Sequence, residues 1–207
     1  MVDLIARGGP VMIAILLCSI AALTIILERL VLLRSTKQRM TIFSQRVQGV
    51  LQYGHFEEVE AACREFPNPM SRLVLAGLEK AGHGESVIKE SIQAAGQRES
   101  RRLQKHMTGL GTIVSGAPLL GFLGTVLGMI EAFRQIEALG GNVNASVLAG
   151  GIWQAMLTTA AGLAVAAPTL FAYNYLQSKI QGLVSDLEDG SQVVLDSLRT
   201  SPGSDGV

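Results

Sequence analysis

The sequence predicts an all-α membrane protein with three transmembrane helices and long cytoplasmic helical extensions. Two observations predict this fold. Charged residues make up only 16% of the 207 residues, whereas about 25% is usual for a soluble domain. Charges are also absent from three stretches of 20, 24 and 41 residues, which cover Gly8–Leu27, Met107–Ile130 and Ala138–Ser178. Because about 20 apolar residues cross the hydrocarbon core of a bilayer as a helix, each stretch is long enough for one span.

These stretches divide the chain into eight predicted segments. In chain order they are a periplasmic N-terminus (1–8), transmembrane helix 1 (9–28), a cytoplasmic helical region (29–106), transmembrane helix 2 (107–133), a periplasmic loop (134–145), transmembrane helix 3 (146–177), a cytoplasmic C-terminal helix (178–199) and a disordered tail (200–207). The first stretch could also belong to a signal peptide. It is longer than the usual apolar region of about 7–15 residues and no Ala-x-Ala site follows it, so an uncleaved helix is predicted.

Lysine and arginine predict the orientation of the spans. Thirteen of the 17 basic residues lie between Arg29 and Lys105, and nine of these flank the first or the second span. Basic residues near the ends of spans stay on the cytoplasmic side. The N-terminus is therefore predicted to be periplasmic, and residues 29–106 and the C-terminus cytoplasmic.

Several shorter elements are predicted between the first two spans. Residues 37–66 are expected to be helical with a break at Gly54, and Pro67-Asn68-Pro69 ends this helix because proline lacks a backbone donor and restricts its predecessor. A short helix near 70–81 and a turn at Gly82-His83-Gly84 follow.

Two longer helices complete the predicted fold. From Glu85 into the membrane the apolar residues recur mostly at helical spacing without an evident breaker, which predicts one helix from about 85 to 135. At about 1.5 Å per residue this helix would be roughly 75 Å long. After the third span an apolar stripe predicts an amphipathic helix that needs a partner surface. The stripe consists of Ile180, Leu183, Val184, Leu187, Val194, Leu195 and Leu198.

The composition argues against several classes of function. The formal net charge is zero, and nucleic-acid binding needs an excess of lysine and arginine. The two cysteines, Cys18 and Cys63, predict no disulfide framework, and the three histidines show no metal-site spacing. No nucleophile is spaced for activation by a base, so we expect no catalytic residue, no metal, no cofactor and no enzyme activity.

The stretch GAPLLGFLGTVLGMI, residues 116–130, combines four glycines with apolar residues. It is not a phosphate loop, because Phe122 and Leu123 stand where the loop requires lysine and serine or threonine. In a membrane helix such small residues let two backbones approach closely. We therefore predict a helix-packing row on the second and third spans, made of Gly121, Gly124, Gly128, Ala155 and Gly162.

Four polar residues lie near the middle of the same two spans: Thr125, Gln154, Thr158 and Thr159. A membrane-embedded threonine often only bonds a carbonyl of its own helix, whereas glutamine needs a true partner or water. Together they suggest a hydrated seam. The three charge-free stretches contain no Asp, Glu, Lys, Arg or His, so another chain must bring the titrating group if protons move here.

The chain resembles the ExbB/TolQ/MotA proton-channel family, over most of its length and most specifically over 115–175. The resemblance lies in LGFLGTVLGMI (120–130) and IWQAMLTTAAGLAVAAP (152–168), with Leu27-Glu-Arg-Leu30 and Ala172-Tyr-Asn174 in support. Three spans rather than four resemble the ExbB/TolQ branch, and the short N-terminus with Glu28-Arg29-Leu30 is closest to ExbB.

This resemblance implies a homopentamer in the bacterial inner membrane around a dimer of an ExbD/TolR-like partner. Each partner chain has one membrane helix with a protonatable Asp, and ion flow drives work in the periplasm, such as energising outer-membrane transport. The family's polar pore positions fall on Thr125 and Thr159, and Gln154 stands where the family often has Glu.

Two readings of function stay open from the sequence. One is the ion-conducting motor subunit, with proton or sodium as the coupling ion and with membrane lipid, the partner and other copies of itself as its neighbours. The alternative is a non-conducting structural scaffold of an envelope complex, in which the polar residues serve packing alone.

Overall fold

The computed structural model describes residues 9–52, 56–138 and 145–199, and every regular element within them is an α-helix. There are six such helices: α1 Gly9–Gln52, α2 Phe56–Glu65, α3 Pro69–Leu78, α4 Glu85–Leu103, α5 Met107–Ala138 and α6 Ala145–Arg199. Three helical segments are long and apolar enough to cross a membrane, Gly9–Val47, Glu85–Ala138 and Ala149–Leu198. The predicted all-α class with three apolar spans is confirmed.

Three predicted features lie outside the described residues: the N-terminus at 1–8, the break at Gly54 and the tail at 200–207. The predicted loop at 134–145 is described only at its ends. Helix α5 continues to Ala138, so the first residues of that segment are helical.

The chain forms two compact units. The first unit comprises Met1–Glu28 and His106–Tyr175, and the second comprises Arg29–Lys105 and Leu176–Val207. Helices α1 and α6 are each continuous from one unit into the other. The predicted separate helices that follow the first and third spans are therefore prolongations of the spans themselves.

The first unit is apolar on its surface as well as in its core. Leu17, Phe122 and Phe171 are 62%, 65% and 74% exposed. Side chains of this kind suit an environment of lipid or of neighbouring protein rather than water. Pro118 and Pro168 lie inside α5 and α6, and neighbouring helices in a membrane protein can satisfy the carbonyl groups that such prolines free.

The prediction of one helix from 85 to 135 is wrong, because the chain turns at residues 104–106. Helix α4 ends at Leu103 and α5 begins at Met107. His106 has a φ of +66°, in the left-handed region, which costs a non-glycine residue about 1–2 kcal/mol. Its ring Nδ1 lies 2.9 Å from Oε2 of Glu28 on α1. A tertiary contact between distant residues therefore accompanies the break.

In the second unit, the Pro67-Asn68-Pro69 segment both ends and begins a helix. Helix α2 ends at Glu65, as predicted. Asn68 then caps α3: its Oδ1 accepts a hydrogen bond from the Ser71 backbone N–H at 3.0 Å, and its own backbone N–H donates to Ser71 Oγ at 2.9 Å. Pro69 occupies the first helical position, where its missing donor costs nothing.

The predicted apolar stripe of α6 is buried within the second unit. Val184 and Leu195 are partly buried. Leu198 packs close to Gly77 of α3, since a Cβ added to this glycine would lie 3.3 Å from Cδ1 of Leu198. The stripe thus packs against the second unit's own helices, as its amphipathic pattern required. Its fully buried members are Ile180, Leu183, Leu187, Val194 and Leu198.

A buried carboxylate joins α3 to α4 in the second unit. The Glu99 side chain is 5% exposed, and its two oxygens accept hydrogen bonds from Arg72 at 2.6 Å and Arg102 at 2.9 Å. Because a buried charge is costly unless it is paired, this ion-pair network fixes the approach of the two helices.

Cys63 belongs to the core of the same unit, where it is 1% exposed on α2. Burial, and secondarily the charge of Glu60, raises the pKa of this thiol from 9.0 to about 12. Cys63 therefore remains a neutral thiol at physiological pH and acts as a small apolar side chain.

Candidate functional site

Helices α5 and α6 meet in the first unit along a seam of small residues. A Cβ added to Gly121 would lie 2.9 Å from Cα of Thr159, and one added to Gly128 would lie 2.8 Å from Cβ of Ala155. On the other side, a Cβ on Gly162 would lie 2.5 Å from the carbonyl oxygen of Ala117. Only glycine permits this approach, because real Cβ atoms are not found at such distances.

All five residues predicted for helix packing lie along this seam. Gly124 faces the Thr158 side chain, since an added Cβ would lie 2.6 Å from Cβ of Thr158. Gly151 extends the contact beyond the predicted set, with an added Cβ 2.7 Å from Cβ of Ala132. The seam therefore runs from residue 117 to residue 132 on α5.

The two adjacent threonines of α6 both turn towards one carbonyl of α5. Thr159 Oγ1 donates a hydrogen bond to the Gly121 oxygen at 2.9 Å. Thr158 Oγ1 lies 2.7 Å from the Ala155 oxygen of its own helix and 3.4 Å from the Gly121 oxygen. The close approach at Gly121 is what brings its carbonyl within reach of both hydroxyl groups.

These threonines differ in how much of them is left exposed. Thr158 is 1% exposed, and assembly with further chains can only increase burial. In this packing the Thr158 hydroxyl is therefore engaged within the seam. Thr159 and Thr125 are half-buried, and Thr125 Oγ1 donates to the Phe122 oxygen of its own helix at 2.6 Å. A pore-lining role for these two remains a prediction.

Gln154 is exposed and lines a cavity of about 610 Å³ in the first unit. The cavity, called here the α1–α5–α6 cavity, lies between the start of α1, the second half of α5 and the first part of α6. A Cβ added to Gly9 would lie 3.8 Å from Nε2 of Gln154, which places the amide beside the beginning of α1. The lining residues used below are Gly124, Glu131, Gln135, Gly151, Gln154 and Thr158.

Sequence reasoning missed Glu131 and Gln135 as members of this cavity. Both follow the glycine row of α5 at spacings of three and four residues: 121, 124, 128, 131, 135. This spacing keeps residues on one face of a helix. The spacing is therefore a signal for these two residues, although Glu131 directly follows the charge-free stretch 107–130.

The charges of the first unit lie at its two ends. Glu28 pairs with His106 where α5 begins, and Glu131 pairs with Arg134 at 3.1 Å near the other end of α5. Between them, residues 107–130 of α5 carry no ionisable group. Within the described ranges 9–52, 56–138 and 145–199, no group of three or more His, Cys, Asp or Glu side chains could hold a metal ion.

Comparison with known proteins agrees with this arrangement. The family model described as MotA/TolQ/ExbB proton channel family matches residues 65–189. The chain is similar to two proteins of Synechocystis sp., Putative biopolymer transport protein ExbB-like 1 and ExbB-like 3. They are 31% and 32% identical to it over 86% and 83% of its length, and the matches cover 71% and 82% of theirs.

It is also similar to Biopolymer transport protein ExbB of Xanthomonas campestris pv. campestris, at 35% identity over 132 residues. That match covers 56% of this chain and 51% of the relative, so the similar region is about half of each protein. The three apolar helices make the chain a multi-pass inner-membrane protein. The resemblance predicted from residues 120–130 and 152–168 is confirmed, and the chain belongs to the MotA/TolQ/ExbB proton channel family.

Proposed function

We propose that this protein is the channel and stator subunit of a proton-driven motor in the inner membrane. It works with a single-span ExbD/TolR-like partner and converts proton flow into mechanical work in the periplasm, such as energising outer-membrane transport. Several copies, five by analogy with the family, surround the partner with α5 and α6 facing inward. The N-terminus is periplasmic and the C-terminus cytoplasmic.

One observation carries this proposal: a chain of a proton-channel family has no Asp, Glu, Lys, Arg or His in its three long apolar stretches. Proton pathways through membranes usually need a carboxylate or a histidine. The titrating group must then come from a second chain, and an aspartate on a partner's membrane helix supplies it. The part of α5 and α6 is to surround that acid with polar groups.

The hydrogen bonds of Thr125 and Thr159 indicate which state of the acid they favour. Each hydroxyl donates its one proton to a backbone carbonyl, Phe122 or Gly121, so only its lone pairs remain available. Such a hydroxyl accepts a hydrogen bond from a protonated carboxyl group or from water. The amide of Gln154 can donate as well, and so can meet the ionised carboxylate.

These hydrogen bonds from the channel wall lower the free-energy barrier to proton transfer. Water or a protonated carboxyl group that finds no hydrogen-bond partner in hydrocarbon costs a few kcal/mol, and a hydrogen bond to a threonine oxygen is worth about 1 kcal/mol. Removing one acceptor from the wall should therefore slow proton passage about fivefold. It should leave assembly intact, because threonine and valine have nearly the same shape.

The test is proton flux in proteoliposomes that contain this protein and the co-expressed partner. Thr125→Val and Thr159→Val should each lower the flux about fivefold, with the same oligomer mass by light scattering. Thr24→Val is the matched control, because Thr24 of α1 donates to its own helix at Ile20 and has no place in the proposed wall. Unchanged flux in both wall variants would reject the proposal.

The scaffold alternative is favoured by one observation, that Thr159 already bonds across the seam to Gly121. A pure packing role predicts a stable complex without proton flux, with or without the partner. The packing role also predicts that Thr159→Val lowers the thermal stability of the complex, and that neither the wild type nor this variant conducts protons in the same liposomes.

A further inference from the structure

The α1–α5–α6 cavity lies inside one chain, and the proposed wall around the partner's acid does not include most of its lining. At about 610 Å³ it has room for on the order of 20 water molecules, each of which occupies about 30 Å³ in the liquid. Water needs polar partners as well as space. The lining offers the amides of Gln135 and Gln154 and the carboxylate of Glu131.

These groups are arranged by depth along α5. Gly124 faces Thr158 at one limit of the cavity, and Glu131 lies seven residues further along the helix. At about 1.5 Å per residue the two levels are about 10 Å apart. Gly124 and Thr158 directly precede Thr125 and Thr159 in the chain. The inner limit of the cavity is thus at the level of the proposed wall.

The outer level carries Glu131, which is the one ionisable side chain among those lining residues that belong to the described part of the chain. The Glu131 side chain is 49% exposed, and its oxygens accept hydrogen bonds from Arg134 at 3.3 Å and Gln135 at 3.3 Å. Arg134 is 75% exposed in the same pair and is not among the residues that line the cavity. The carboxylate therefore faces the cavity while its cationic partner lies towards the surroundings.

We propose that the cavity is a hydrated vestibule in each copy of the chain, through which the coupling cation reaches mid-membrane depth, with Glu131 as the group that attracts it. The ligand class is water together with hydronium or a small monovalent cation. The role in conduction rests on the function proposed above, whereas the hydration of the cavity does not. By the predicted orientation the vestibule opens to the periplasm.

Cysteine accessibility tests the hydration without any need for conduction. In a Cys18→Ser/Cys63→Ser background, Gln154→Cys should react in right-side-out vesicles with a membrane-impermeant cationic methanethiosulfonate. Ile13→Cys is the control: Ile13 is 56% exposed, lies four residues into α1 from Gly9 and does not line the cavity. We expect Gln154→Cys to react at least about tenfold faster; equal rates would overturn the vestibule.

The role of Glu131 is tested by the charge of the reagent. Gln154→Cys should react faster with the cationic reagent than with an anionic methanethiosulfonate of similar size, and adding Glu131→Gln should remove that preference. Glu137→Gln, an exposed carboxylate on the same helix, should leave the preference intact. A preference that survives Glu131→Gln would overturn the assignment of Glu131.

Flux measurements connect the vestibule to the proposed function. With the partner present, Glu131→Gln should lower proton flux when external protons are scarce, at alkaline pH, and much less when they are abundant. Glu137→Gln should match the wild type at both pH values. If Glu131→Gln and the wild type show equal proton flux at alkaline pH, the role of Glu131 in conduction is overturned. Absence of partner-dependent flux in the wild type would instead reject the proposed function and leave the labelling comparison to decide the vestibule.

Discussion

Replacing Gly162 by alanine should separate α5 from α6. A Cβ at this position would lie 2.5 Å from the Ala117 carbonyl oxygen and 3.2 Å from Cα of Gly121. Both atoms belong to the backbone of α5, so no side-chain rotation can relieve the contact. Overpacking of this kind costs about 1–3 kcal/mol. Alanine also favours a helix over glycine by about 0.5–1 kcal/mol, which leaves a net loss of up to about 2.5 kcal/mol.

Gly116→Ala is the matched control for Gly162→Ala. It changes the same residue type in α5, the helix that Gly162 packs against, and its added Cβ meets no described atom within 4 Å. This variant should gain up to about 1 kcal/mol from helix propensity. Because the propensity gain is common to both variants, they should differ by the overpacking cost of about 1–3 kcal/mol, or by roughly 2–12 °C in Tm for a chain of this size.

The assay is thermal unfolding in detergent, followed by circular dichroism at 222 nm with the three proteins in parallel. The expected order of Tm is Gly116→Ala at or above the wild type and Gly162→Ala clearly below it. If both variants unfold together, α5 and α6 do not approach as closely as described, and the packing argument fails.

Three further predictions concern the rest of the molecule. Glu99→Gln should destabilise the protein by about 1–3 kcal/mol, because Arg72 loses its buried partner, whereas Glu60→Gln at an exposed pair should cost less than about 0.5 kcal/mol in the same urea titration. The free energy of unfolding should fall as pH rises from 9.0 towards about 12, since the unfolded chain releases the Cys63 proton at lower pH than the folded chain does. Cys63→Ala should reduce the dependence of the unfolding free energy on pH in this range. An unchanged pH dependence in this variant would refute the prediction. His106→Gly should be more stable than His106→Ala by about 1 kcal/mol. Both variants lose the contact to Glu28, but only glycine adopts a φ of +66° without strain. Equal melting temperatures of the two variants would contradict backbone strain at this turn.

The spans and the seam could be predicted because the membrane imposes simple rules on the sequence. A bilayer excludes charges over about 20 residues, so the charge-free stretches outlined all three apolar helices. Close helix packing in lipid requires small residues, so the row through Gly121, Gly124 and Gly128 indicated which face of α5 meets α6. Each rule acts on local sequence and leaves a local pattern.

The features that were not predicted depend on contacts between distant residues. Neither glycine nor proline marks the turn at residues 104–106, where His106 adopts a left-handed conformation beside Glu28 of α1. Glu99 sits in a strongly polar segment, and only the fold shows that its carboxylate is buried against Arg72. Sequence patterns carry no direct record of such pairs.

The cavity shows a second kind of limit to prediction from the sequence. Glu131 was visible as a charge at the end of a span, and its spacing from Gly128 was compatible with the packing face. That it lines a cavity together with Gln154 depends on how the start of α6 passes α5 and the start of α1. The spacing along α5 is visible in the sequence, but the space between the helices is not.

The central claim is that the middles of α5 and α6 face an aqueous axis shared with a partner's acid. Spin labels at Thr125→Cys and Thr159→Cys, in the assembled complex in liposomes and without the native cysteines, test it most directly. The account predicts faster relaxation by a water-soluble nickel chelate than by oxygen at both sites, and the reverse at Leu17→Cys on the exposed face of α1. Preferential relaxation by oxygen at 125 and 159 would mean that these positions face acyl chains, and would contradict the account.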